Sequence, residues 1–136
     1  MKLDDYRQTY YVFSGKASDV SRQLAFAGIA LIWVLHPDKG AITTVPKALL
    51  WPALFFCCSL SFDLLHYTTS TAIWGWFSRS KERKKVKEDA ELDAPSYLNW
   101  PALFCLVIKI ASNIGAYFFV FMYIASQILA AGTSLK

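Results

Sequence analysis

Three stretches of the chain, residues 24–35, 46–77 and 99–129, are dominated by apolar positions, and nearly all the charge lies outside them. A bilayer core about 30 Å thick is crossed by roughly 20 apolar residues in a helix. The second and third stretches meet that length directly. The first reaches it only as a span over 19–36, with Arg22 folding its guanidinium back to the interface. Pro37, Asp38 and Gly40 then read as its stop. The second span, 46–77, opens with Pro46, a residue suited to a first helical turn. Trp51 and Trp74 stand twenty-three residues apart in it, about 35 Å at 1.5 Å per residue. That spacing fits one aromatic anchor at each interface. The third span, 99–129, begins at Asn99 as a helix cap, and Trp100 and Tyr123 repeat the twenty-three-residue spacing. The pattern predicts an all-α membrane protein with three transmembrane helices.

Ahead of the first span, Leu3, Tyr6, Tyr10 and Phe13 share one helical face, with Asp4, Asp5, Arg7 and Gln8 largely opposite. Residues 1–17 are therefore expected to form an amphipathic helix on the inner leaflet or on a neighbouring subunit, stopped at Gly15. A loosely ordered tail is the alternative. No small-residue cleavage pattern follows Leu35, so a signal peptide is not expected.

Composition agrees. Of 136 residues, 55% are hydrophobic and 18% charged, against about a quarter charged in soluble domains. The polar segments, 1–17 and the loop 78–98, fall below the roughly 40 residues a small domain needs to fold unaided, which leaves no room for a soluble enzyme domain. The basic residues are distributed unevenly. Lys2, Arg7, Lys16 and Arg22 precede the first span, and six more lie between the second and third. Only Lys39, Lys47 and Lys136 fall on the other side. Counting Lys and Arg places the N-terminus and the basic loop in the cytoplasm and the C-terminus outside, in the inner (plasma) membrane.

The pentapeptide Trp51-Pro52-Ala53-Leu54-Phe55 recurs at Trp100-Pro101-Ala102-Leu103-Phe104. It reads as a helix-start cassette used twice, or as the remnant of an inverted repeat; the similarity fades beyond Phe104, which favours the cassette.

Polar residues within the spans form stripes. Ser59, Asp63, His66 and Ser70 step by four, three and four along the second; Lys109, Asn113, Ala116, Tyr123 and Gln127 keep a heptad-like phase on the third. Ser21, Ala25 and Gly28 offer small residues on the first. Ionisable groups at such depths face a bundle interior or a watery path. Ser59, Asp63, His66, Ser70, Lys109, Asn113 and Gln127 are thus candidates to line a pore or cavity, and equally candidates for helix-packing contacts. Asp63 and Lys109 lie at depths where they could pair. His66 could titrate beside Asp63.

No metal centre or cofactor is expected. Two histidines, His36 and His66, cannot supply a multi-histidine site, and there is no phosphate loop, nucleophile elbow or triad, so no enzyme is expected. Cys57, Cys58 and Cys105 all fall within spans and read as small packing residues.

The loop begins with Arg79, Lys81, Arg83, Lys84, Lys85 and Lys87 and continues with Glu88, Asp89, Glu91 and Asp93. The basic part is a topology signal touching anionic lipid, or a docking strip for a soluble partner or an anionic ligand such as a nucleotide or nucleic acid oligomer. No aromatic residues interleave it, which argues against base-specific reading.

This layout, an amphipathic start, few spans and a basic cytoplasmic loop, resembles the small multi-pass effectors of bacterial anti-phage defence systems, including those partnered with a nucleotidyltransferase. The resemblance covers the whole chain in outline and carries no individual residue across. It implies a homo-oligomeric ion channel or membrane-disrupting effector, gated through the basic loop. A non-conducting anchor recruiting a soluble partner, and a small proton-coupled transporter using Asp63 and His66, are the other two expectations.

Overall fold

A computed structural model describes residues 3–36, 45–84 and 95–133. It contains α1 (Leu3–Leu35), α2 (Lys47–Arg83), a short 3-10 turn (Ser96–Asn99) and α3 (Trp100–Thr133). Among the described residues there is no strand. All three helices are long and apolar enough to cross a bilayer, and the fold is an all-α, three-helix transmembrane architecture.

Three expected boundaries move. The N-terminal segment is helical, but no break occurs at Gly15: α1 runs through it without interruption. A glycine inside a helix costs about 1 kcal/mol relative to alanine, which the flanking turns of an apolar helix outweigh. The part of α1 that is long and apolar enough to cross a bilayer lies within Gln8–Leu35. Secondly, α2 continues to Arg83, so Arg79, Lys81 and Arg83 lie on a helix and not in the expected loop; Lys84 caps it. Thirdly, the repeated pentapeptide plays two different parts. Trp100 and Pro101 do begin α3. In α2, however, Pro46 is the cap, and Pro52 sits inside the helix and is buried. The expected stop at Pro37, Asp38 and Gly40, the residues Lys85 and Lys87, and the acidic block that follows lie outside the described residues.

α2 and α3 form the closest pair, running antiparallel. The Ser59 hydroxyl donates to the Lys109 carbonyl at 2.9 Å and His66 Nδ1–H to the Ala102 carbonyl at 2.8 Å. Phe55 stacks on Phe119, and Phe56 meets Tyr117 edge to face at 5.1 Å. α1 lies against both and runs parallel to α3: Lys109 bonds Ser18, Asn113 bonds Ser21, and the Tyr117 hydroxyl donates to the Leu24 carbonyl. Each step of three on α1 meets a step of four on α3, which keeps neighbouring faces of the two helices together. Ala25, Ile32, Leu49, Phe56, Ala116 and Val120 make the apolar core. Gly28 lets α1 approach closely: a Cβ there would overlap the ring of Phe56.

Candidate functional site

Aromatic spacing provides a ruler for depth. Trp51–Trp74 and Trp100–Tyr123 each span twenty-three residues, and because α1 is continuous, Tyr10–Trp33 supplies a third span of the same length. Asp63 lies twelve residues from Trp51 and eleven from Trp74, and Arg22 lies twelve from Tyr10 and eleven from Trp33. Both therefore sit about 16–18 Å from either anchor. Lys109, nine residues from Trp100, is within one turn of the same level.

At that level the three helices contribute one charge each. Arg22 Nε donates to Asp63 Oδ2 at 2.6 Å, and its Nη2 to the Tyr67 hydroxyl at 2.8 Å. Lys109 Nζ bonds Asp63 Oδ1 and the Ser18 hydroxyl. One carboxylate thus holds α1 through one oxygen and α3 through the other. Lys109 is 1% exposed; such a cation is tolerable in a low-dielectric setting only with its partners in place. Two cations against one carboxylate leave a formal excess of positive charge. Asp19, 3.8 Å from Arg22 Nη2, is the nearest compensating group. One turn away, Asn113 Nδ2 donates to the carbonyl and hydroxyl of Ser21 at 2.5 and 2.6 Å.

Arg22 does not turn back to the interface as expected. Asp63 offers it a charge-assisted hydrogen bond at the level midway between Trp51 and Trp74. The expected encounter of Asp63 with Lys109 takes place, within a single chain. His66 does not join them; its Nδ1–H is used on the Ala102 carbonyl.

Of the candidate lining residues, Ser59, Asp63, Lys109 and Asn113 are buried between helices and hydrogen-bonded across them. His66 and Ser70 are half-buried, and Gln127 is exposed on α3. In one protomer the stripe of α2 and the stripe of α3 therefore face each other and α1. Arg22, Ser18 and Tyr67 belong to the same polar network, Tyr117 makes a separate bond to the Leu24 carbonyl, and none of the four was among the sequence candidates. The signal for Arg22 was its central position between Tyr10 and Trp33. For Ser18 it was the 3,4,3 spacing shared with Ser21, Ala25 and Gly28.

At the far end of α2, Arg79 and Arg83 share one face with Thr71, Gly75, Trp76 and Ser80 along an open recess. Lys81 lies over the Phe77 ring, 5.2 Å from its centroid. Among the described residues no group of three His, Cys, Asp or Glu side chains could hold a metal ion, and Cys57, Cys58 and Cys105 are free thiols.

Comparison with models of known protein families, with curated proteins and with solved structures finds no match.

Proposed function

We propose that the chain is an integral membrane protein whose copies assemble around an ion-conducting path, with the basic end of α2 receiving a signal at the cytoplasmic face. The observation that carries this reading is the open side of the ionic cluster. At mid-depth the Arg22 side chain is 36% exposed and the Asp19 side chain 63% exposed, outside the three-helix bundle. A charged side chain facing hydrocarbon at a helix centre costs about 2.5–3.5 kcal/mol on an insertion scale. Water or another protein surface removes that cost. Among the described residues the three helices pack their mid-depth polar groups against one another, so conduction would require several copies.

Arg79 and Arg83 on a helical extension favour the second reading, a non-conducting anchor. They would present fixed charge to an anionic partner some 8–14 Å beyond Trp74. A role in anti-phage defence is part of the proposal and rests on the resemblance in layout alone.

Reconstituted protein in planar bilayers separates the readings. Discrete conductance steps are expected for the assembled channel. A stable oligomer that stays electrically silent would leave the anchor.

A further inference from the structure

α1 has two faces of opposite use. Ser18, Ser21, Ala25, Gly28 and Ile32 are buried against α2 and α3. About 180° around the helix runs a second stripe, Thr9, Lys16, Asp19, Gln23, Ala27 and Ala30, every member of which is exposed. The steps between them are those of a helix-contact seam, threes and fours or their sum. Apolar and aromatic residues flank it: Phe13 and Leu24 on one side, Phe26 and Trp33 on the other. Lys16, Asp19 and Gln23 fall within about 9 Å of the level of Arg22, well inside the hydrocarbon zone. Exposed hydroxyls elsewhere at depth, such as Ser61 and Thr68, are satisfied by carbonyls of their own helix. Lys16 and Gln23 make no hydrogen bond or ion pair among the described residues, and Asp19 has only the 3.8 Å approach to Arg22.

We infer that this outward stripe of α1 is the surface through which copies of the chain meet, a step that rests on the self-assembly proposed above and names its interface. A second copy suits the surface because the stripe is complementary to itself. Copies in one membrane share an orientation, so symmetric α1 helices lie parallel with like residues at like height. Lys16 and Asp19 are offset by three residues, about 4.5 Å along the axis, a distance the lysine arm spans to reach Asp19 of the neighbour. Gln23 meets Gln23 with a donor and an acceptor on each side. Ala27 and Ala30 then allow the backbones to close. The lining of any path shared by the copies would accordingly come from α1, beside Arg22, and not from the stripes of α2 and α3.

Disulfide trapping in native membranes tests this. In a chain with Cys57, Cys58 and Cys105 replaced by serine or alanine, single cysteines are placed at Gln23, Ala27 and Ala30. Controls are placed at Leu24, Phe26 and Leu31. None of the three stripe side chains packs inside the protomer, so the bundle tolerates the changes. Mild oxidation is expected to give covalent dimers from the stripe positions at least about tenfold more efficiently than from the controls, as proximity in a packed interface demands. Lys16→Asp should reduce the trapped fraction, and Lys16→Asp with Asp19→Lys should restore it. Equal yields at stripe and control positions, no dimers at all, or trapping only to a different protein would each overturn the inference. Stripe-specific dimers from a protein silent in planar bilayers would uphold the interface and remove the conduction reading.

Discussion

Arg22 on α1 and Asp63 on α2 are joined by a 2.6 Å hydrogen bond at the midpoint of both helices' aromatic spans. Lys109 completes the arrangement from α3. The cluster works as a rivet: the Asp63 carboxylate takes a cation from each of the other two helices, Lys109 also reaches Ser18 on α1, and neither cation has another anion as close.

Asp63→Asn removes the charge that both cations answer. Breaking a buried pair on one side costs about 3–5 kcal/mol, and here it leaves Lys109 enclosed. A lower unfolding midpoint in detergent and loosened α1, read by proteolysis between α1 and α2, are expected. Replacing Asp63 and Lys109 together by Asn and Met should recover much of the loss. Equal stability of Asp63→Asn and the parent protein would refute the role assigned to the cluster.

Gly28→Val should separate α1 from the hairpin of α2 and α3. The added atoms overlap the ring of Phe56, which is fully buried. Overpacking of this kind costs about 1–3 kcal/mol. Phe56→Ala in the same chain should relieve the overlap, and the thermal midpoints of the single and double variants measure the relief.

Asn113→Ala deletes two hydrogen bonds to Ser21. Interhelical bonds in membrane proteins average about 0.6 kcal/mol and reach about 1.7, so a loss in that range is expected in a denaturation series. Ser126→Ala, whose hydroxyl bonds only within α3, serves as the control and should leave the curve in place.

Arg79→Gln with Arg83→Gln should weaken binding of a single-stranded polyanion. The slope of log affinity against log salt should flatten by about 0.7 per charge removed. An unchanged slope in a salt titration would return these arginines to the topology-signal role alone.

The succession of three apolar stretches and their aromatic ends could both be read along the chain, because each depends on composition over about 20 residues. The Asp63–Lys109 encounter was also legible, from depth alone. Arg22 was not. Its partner is 41 positions away, and its central position between Tyr10 and Trp33 becomes a clue only once α1 is known to be continuous. Gly15 misled for a related reason: a stop signal in water is weak inside a long helix whose unpaired backbone groups would have to face lipid.

The linear order of residues by itself determined that this chain crosses a membrane three times and that its few charged groups at depth need partners, since both follow from the cost of exposing polar atoms to hydrocarbon. Only the tertiary structure decided which partners they take. Helix rotation and the close approach at Gly28 turned the polar stripes of α2 and α3 inward, onto each other and onto α1. The same rotation left Lys16, Asp19 and Gln23 pointing out of the bundle, because a helix that buries one face must present the other.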